Sequence, residues 1–422
     1  MTIRTLHRDG LADLLADPDI SHLLSVLKAE TEETRIVGGA VRDALLGYVS
    51  SDVDLATTLL PKEVMRRATA TSLRAIPTGI EHGTVTVLRG DRAFEITTLR
   101  EDIETDGRHA VVRFGRDFAR DAARRDFTIN ALSIDEKGEL HDTTEGVADL
   151  ETGRVRFIGD AATRIREDAL RILRFFRFHA RYGIGAPDQE GFRAAMEAAQ
   201  ALDGLSRERV RSELLKLLEG PGAVEVIATM RKAGLLERII GTDGHLDRLT
   251  RAIAAETMDA NQMRAATRLA ALAVDTVTDA TWLRQALRLS NEEHDLLEAY
   301  ATARRAIESL PTIRAIDMRR LAATHDLPGL ALAVDVLSPA RTQQIGPEAH
   351  AELAAFLDGT RPVPRFPLRG SDLVTAGVSP GRSVGKGLEA ARSLWLERGC
   401  LSGEEEHTLL LDFAVAAAGT KG

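Results

Sequence analysis

Asp52-Val53-Asp54 sets two carboxylates two residues apart in an apolar run that continues through Leu55 and Ala56. On a strand, that spacing sends both acids to one face while Val53 and Leu55 pack behind it. Adjacent acids repel unless a cation lies between them, and hard oxygen ligands so spaced suit Mg²⁺ shared with a substrate's phosphates. Upstream, Gly38-Gly39 separates the apolar run Arg35-Ile36-Val37 from a helical pattern that opens at Val41. The glycine pair then forms a turn where backbone comes close to something. Its free N–H groups, at the positive end of a helix dipole, suit a phosphate. Taken singly, a Gly-Gly turn is an ordinary tight connection and an Asp-x-Asp an ordinary surface loop.

In combination they say more. Gly38-Gly39-Ala40-Val41-Arg42-Asp43, then Leu45-Leu46-Gly47, then Asp52-Val53-Asp54 resembles the signature of the bacterial-type class II tRNA nucleotidyltransferases and poly(A) polymerases. Three later stretches extend the likeness over roughly residues 35–220. In Arg124-Arg125-Asp126-Phe127-Thr128-Ile129-Asn130-Ala131-Leu132 the alternation reads as a strand with Asp126, Thr128 and Asn130 on one face, where they could grip a ribose. The stretch from Arg164 to Phe178 reads as one helix. On it Asp168 and Arg171 are i,i+3 neighbours, which a plain salt bridge would also explain. Ser206 caps a further helical run to Leu218 that ends before Gly220-Pro221 and resembles the family's last shared motif, a brace for the neck.

The resemblance implies that Asp52 and Asp54, assisted by Glu95, hold two Mg²⁺, and that Gly38, Gly39, Arg42 and Arg125 cradle a triphosphate. By the same likeness Asp126 and Asn130 select ribose, and Asp168 and Arg171, with Arg174 and Arg177 on the same helix, read the base. The activity implied is addition of CCA to the 3′ end of tRNA from CTP and ATP, releasing pyrophosphate. Poly(A) polymerases and enzymes adding only part of CCA share every head motif and stand as the alternative. A sugar-nucleotide glycosyltransferase also uses Asp-x-Asp with a metal, but leaves the stretch from Asp168 to Arg177 and the helical C-terminal half unexplained. A catalytically dead RNA-binding relative would not need Asp52 and Asp54 intact.

The elements that must position these residues follow from periodicity. Leucines at helical spacing mark one or two helices over residues 10–33, and Pro61 is placed to start another. Thr84 to Leu88 and Ala93 to Leu99 read as a hairpin around Gly90-Asp91, with Glu95 on the face opposite Phe94 and Ile96. Residues 100–117 are charge-dense and read as a mobile loop near the site. Beyond Ile158-Gly159-Asp160 the strand signals fade. Alanine- and leucine-rich helices fill 222–355, where His294-Asp295 and His325-Asp326 lack the further ligands of a His-Asp phosphohydrolase. Pro362, Pro364 and Pro367 mark a linker to a stretch resembling the family's tail, with Arg382 where proline is more usual. The fold class is therefore an α/β nucleotidyltransferase head, a mixed sheet with helices, followed by all-α neck, body and tail. The boundaries fall at 1–157, 158–221, 222–361 and 362–422, the last implied to bind tRNA.

Composition bounds the rest. Of 422 residues one is cysteine, Cys400, which excludes an intramolecular disulfide and a cysteine-based zinc site and suits a reducing, cytoplasmic setting. The amino terminus lacks the apolar core of a signal peptide, and no apolar run predicts a membrane span. A net charge of −9 argues against a broadly basic nucleic-acid surface. Arg164, Arg166, Arg171, Arg174, Arg177 and Arg181, against only Glu167 and Asp168, would concentrate positive charge in one cleft. No protein partner is implied.

Overall fold

The computed structural model describes residues 3–50, 52–105, 110–256 and 263–419, which divide into two compact units, Met1–Val226 and Ile227–Gly422. The first is built on strands β1 (Thr34–Val37), β2 (Asp54–Thr57), β3 (Arg74–Gly79), β4 (Thr84–Arg89), β5 (Arg92–Thr98), β6 (Arg100–Thr105), β7 (Ala110–Phe114), β8 (Ser133–Ile134) and β9 (Leu140–His141). Seven of these form one sheet in the order β3-β4-β5-β2-β1-β8-β9, and β6 and β7 form a separate ribbon. The sheet is mixed because β2 runs parallel to β5 and antiparallel to β1.

The β4–β5 hairpin forms as the alternation requires, turning at Gly90 with φ +57°. One face of it buries Val85, Val87, Phe94 and Ile96. The helix Pro61–Ala70, started by its proline, lies against β3, β4 and β5 with Val64 and Ala68 fully buried. The leucine-rich segment before β1 is two helices, Asp9–Ala16 and Pro18–Leu27.

Four local expectations are corrected. Regular pairing in β2 begins only at Asp54, so Asp52 and Val53 lead into the strand rather than sharing it. Residues 100–105 and 110–114 are paired strands rather than a mobile loop; residues 106–109 lie outside the described residues. The stretch from Arg124 to Leu132 is not a strand: Phe127 makes a single bridge to Phe157, and Thr128–Asn130 then closes a 3₁₀ turn. The cause is tertiary, since Thr128 N–H and Ile158 N–H bond across to the carbonyls of Arg156 and Asp126. The predicted single helix from Arg164 to Phe178 is two, Ala161–Glu167 and Arg171–Tyr182, broken at Asp168. Asp168 has extended dihedrals, and its Oδ1 accepts the Leu170 N–H at 3.0 Å, a local bond that competes with helix continuation.

An aromatic cluster joins the strand-rich and helical parts of the first unit. Phe127 packs on Phe157 and Phe178 at ring-centroid distances of 4.9 and 5.1 Å, and Phe157 stacks on Phe175 at 5.6 Å. The second unit is helical in its described residues. Near its end Leu368, Leu373, Ala391, Trp395, Leu410 and Ala414 share a core, and Trp395 Nε1 donates to the Leu401 carbonyl at 2.8 Å. Burial pushes the Cys400 thiol up to about 11. No helix among the described residues is long and apolar enough to cross a membrane.

Candidate active site

The register of three strands assembles the acids. Val37 pairs with Asp54, and Asp54 with Glu95, so the end of β1, the start of β2 and the middle of β5 lie side by side. Registered neighbours share a sheet face, and Asp54 and Glu95 both reach solvent while Leu55 and Ile96 are buried. Glu95 therefore faces its acidic neighbour, as the alternation around it requires. The surrounding protein still withdraws water from Asp54. That desolvation and the charges of Glu95 and Asp52 push its carboxyl above the usual range, with Arg125 pulling the other way. The three carboxylates do not all close to within 4.8 Å of one another, as like charges should not without a counter-ion. An exposed set of hard oxygen donors whose charges oppose one another fits a divalent cation.

The glycine turn sits at the end of β1. Gly38 has φ +73°, and a Cβ there would stand 2.7 Å from Arg125 Nη1. Glycine is required by the dihedral, and the guanidinium of Arg125 lies across it. Arg125 is held in place by Asp121 at 3.3 Å and by the Asn130 carbonyl at 3.3 Å. Arg42, one turn into the helix Gly39–Leu45, faces inward and is buried. Its Nε donates to Asp43 at 2.9 Å, its Nη1 to Asn130 Oδ1, and its plane lies 4.1 Å over the Tyr182 ring. Tyr182 closes the group by donating its hydroxyl to Asp43 at 3.0 Å.

Asn130 links this group to the next, donating Nδ2 to Asp126 at 3.0 Å. The 3₁₀ turn thus brings Asp126 and Asn130 together, but Thr128 turns away to bond buried Asp149 at 2.6 Å. Burial opposes the Asp126 charge, yet the Arg174 guanidinium at 2.6 Å, the Asn130 amide and the Phe127 N–H outweigh it and hold the carboxyl below its usual range.

Asp168 and Arg171 do not form the i,i+3 salt bridge that was the ordinary explanation of their spacing. Asp168 pairs with Arg209 at 2.7 Å, and Arg171 pairs with Glu167 and donates to the Arg164 carbonyl at 2.7 Å. Arg174 and Arg177 both meet Glu213, Arg177 at 2.6 Å. Arg164 is likewise occupied, by Glu167 and by backbone carbonyls. The arginine-rich stretch is therefore largely an internal ion-pair network rather than an open cationic stripe. Sequence reading passed over Arg209 and Glu213 as structural. Their i,i+4 spacing on the helix Arg207–Leu218 was the available signal that both face one neighbour.

The two His-Asp pairs differ in their surroundings: His294 and Asp295 are joined by Glu298, the three bringing ligand atoms within 4.8 Å of one another. Asp326 caps the helix Leu327–Asp335 by accepting the Gly329 N–H, and His294 Nδ1 lies 3.3 Å from Arg284 Nη1.

Acids on adjacent strands of a mixed sheet, beside an arginine laid across a glycine turn, suit a metal-bound triphosphate, and comparison with known proteins names the class as nucleotidyltransferase. A family model described as the poly A polymerase head domain matches residues 34–156, and one described as a probable RNA and SrmB-binding site of polymerase A matches 187–240. The chain is 35% identical to CCA tRNA nucleotidyltransferase 1, mitochondrial, of Danio rerio, over 88% of this chain and 85% of that protein. It is 41% identical to the CCA-adding enzyme of Streptococcus sanguinis, strain SK36, over 54% of this chain and 57% of that one. The structure of Bacillus stearothermophilus CCA-adding enzyme in complex with CTP superposes with a TM-score of 0.71 at 28% identity, covering 93% of this chain and 95% of its own. The chain belongs to the family of CCA-adding tRNA nucleotidyltransferases and poly(A) polymerases.

Proposed function

We propose that this protein adds CCA to the 3′ end of tRNA, using CTP and ATP and releasing pyrophosphate. The observation that carries this is likeness to CCA tRNA nucleotidyltransferase over nearly the whole of both chains, not over the head alone. The reading divides the chain into a catalytic head (1–157), a neck (158–221), a body (222–361) and a tRNA-binding tail (362–422), in a cytoplasmic protein whose one buried thiol suits a reducing compartment.

Asp52, Asp54 and Glu95 would hold the metal, which we take to be two Mg²⁺. Held there, they would supply activation of the tRNA 3′-hydroxyl and neutralisation of the departing pyrophosphate. Arg125, anchored by Asp121 across Gly38, offers its guanidinium to the triphosphate beside the Gly38-Gly39 backbone. Arg42 serves the same cradle from behind by fixing Asn130. Asp126 and Asn130 present an acceptor and an amide to the ribose hydroxyls. Arg174 and Arg177 back the nucleotide pocket through Asp126 and Glu213.

Asp168 and Arg171 read the base. Cytosine and adenine each present an exocyclic amine beside an unprotonated ring nitrogen, whereas uracil and guanine present a carbonyl beside a ring N–H. A carboxylate only accepts and a guanidinium only donates, so the pair matches C and A and mismatches U and G. The two do not pair with each other; Asp168 is held by Arg209 and Arg171 by Glu167, and the base would meet the acceptor and donor positions these contacts leave over.

The head model's description keeps poly(A) addition as the alternative. Incubation with tRNA ending at its discriminator base, with CTP, ATP or both, and sequencing of the product separates them. C, C and A in order is the expected result; an adenosine tract made without CTP would replace the assignment. In the same assay Asp52→Ala or Asp54→Ala should abolish addition in a folded protein, since losing a metal ligand removes roughly several kcal/mol of transition-state stabilisation. Turnover near wild type in either variant would exclude the metal site.

A further inference from the structure

We propose that Tyr182 is a positioning residue for sugar selection. Acting through Asp43 and Arg42, it fixes which end of the Asn130 amide faces the ribose. The inference rests on the reading of Asp126 and Asn130 as the pair that grips the ribose, and extends it to the last residue of the helix Arg171–Tyr182.

An asparagine amide is nearly symmetric in shape, so its neighbours decide where the oxygen points. At Asn130 those neighbours are opposite in kind. Arg42 Nη1 donates to Oδ1, and Nδ2 donates to Asp126 Oδ1 at 3.0 Å. A guanidinium only donates and a carboxylate only accepts, so turning the amide over would set donor against donor and acceptor against acceptor. The orientation is locked for as long as Arg42 keeps its place. Of the two Nδ2 hydrogens one goes to Asp126, and the other is the donor offered to a 2′-hydroxyl, which deoxyribose lacks.

Tyr182 holds Arg42 in that place. The buried Arg42 guanidinium lies 4.1 Å over the Tyr182 ring and 5.4 Å from the Phe178 ring, one turn earlier on the same helix. Those rings set its plane. Asp43 sets its rotation, because one carboxylate oxygen accepts both Arg42 Nε at 2.9 Å and the Tyr182 hydroxyl at 3.0 Å. Burial, joined by the Asp43 charge and opposed by Arg42, pushes the Tyr182 hydroxyl above its usual range, so it keeps the proton that it donates. Tyr182 is itself anchored: its carbonyl accepts Arg4 Nη1 at 2.7 Å, and the Arg4 N–H bonds the Glu151 carbonyl at 2.7 Å. A phenylalanine would fill the same space against Phe178, so the hydroxyl is what this position adds. Tyr182 also stands at the other end of its helix from Arg171, roughly 16 Å along the axis, which separates sugar selection from base selection.

The test is steady-state incorporation of CTP, dCTP and UTP by full-length Tyr182→Phe on tRNA lacking CCA. The preference for CTP over dCTP, as a ratio of kcat/KM, should fall about tenfold, the scale of one hydrogen bond to a charged group. The preference for CTP over UTP should hold. An unchanged ratio of CTP to dCTP, an equal decline with all three nucleotides, or an equal loss of base preference would reduce Tyr182 to a packing residue and overturn the proposal. Should Tyr182→Phe fail to fold, Asp43→Asn decides: it keeps an acceptor but removes the charge that holds both donors, and an unchanged sugar preference there overturns the proposal. Asn130→Ala run in parallel separates the two levels. If it keeps the preference for CTP over dCTP, the ribose assignment fails and the inference with it. If it loses that preference while Tyr182→Phe keeps it, only the role of Tyr182 falls.

Discussion

At Asp54, burial and the charges of Glu95 and Asp52 raise the carboxyl's pKa, and Arg125 opposes them. A carboxyl whose folded pKa lies above its unfolded value binds its proton more tightly when folded. Its ionised form therefore costs stability at neutral pH, and the cost disappears as pH falls through the raised folded pKa towards the ordinary 3.8. Asp54→Asn should accordingly raise the melting temperature at pH 7 in chelator while abolishing nucleotide addition. The gap between the two proteins should narrow on acidification, and also on adding Mg²⁺, which would stabilise only the wild type. Thermal melts of both proteins across pH, with and without Mg²⁺, check this. A variant less stable than wild type in chelator at pH 7 would mean that the carboxylate is not under strain.

Among the elements, the glycine turn and the broken helix differ in how far local sequence reveals them. Gly38 was legible because a Gly-Gly pair between an apolar run and a helical pattern has few other uses, and its φ of +73° is what the residue type permits. Gly38→Ala should cost about 1–3 kcal/mol from the backbone alone, since φ +73° with ψ −123° is a combination that residues with a Cβ hardly adopt. It should also displace Arg125, which lies 2.7 Å from where the new methyl would be. We expect a lower melting temperature together with a raised KM for CTP; a normal KM would detach Arg125 from the triphosphate. The β4–β5 hairpin and the orientation of Glu95 were legible for the same reason, since strand alternation is local. The break at Asp168 was not, because apolar residues at Ile165, Ala169 and Ile172 keep helical spacing across it, although the competing bond from the Leu170 N–H to Asp168 is local. The 3₁₀ turn at Thr128–Asn130 was hidden likewise, since its cause is a bridge to Phe157, far along the chain. A residue hint existed in one case: aspartate is poor inside a helix and good at its start.

Over the whole molecule, net charge and local charge point different ways. A protein of net charge −9 must concentrate any RNA-binding surface, and the arginines from Arg164 to Arg177 do not supply it, being largely engaged with Glu167, Asp126 and Glu213. The tail offers better candidates. Arg382, Lys386 and Arg392 are exposed on the helix Arg382–Glu397, while Arg398 beyond it is taken by Glu406 at 2.9 Å. Such side chains release counter-ions when they neutralise phosphates, so tRNA affinity should fall steeply with salt and depend on the RNA's shape rather than its sequence. Deleting 362–422 should weaken tRNA binding far more than CTP binding. That variant also uncovers apolar surface, because Leu373, Trp395 and Leu410 share their core with residues before them, including Ala323. The sharper variant is Arg382→Ala, Lys386→Ala and Arg392→Ala combined, which leaves that core intact. It should lower the slope of log affinity against log salt by roughly 0.7–0.9 for each phosphate that the helix no longer neutralises, leaving CTP affinity unchanged. Filter binding of tRNA across a salt series, with CTP titration as the control, measures both. An unchanged slope would remove this helix from the RNA surface and leave the docking charge to be found elsewhere in the second unit.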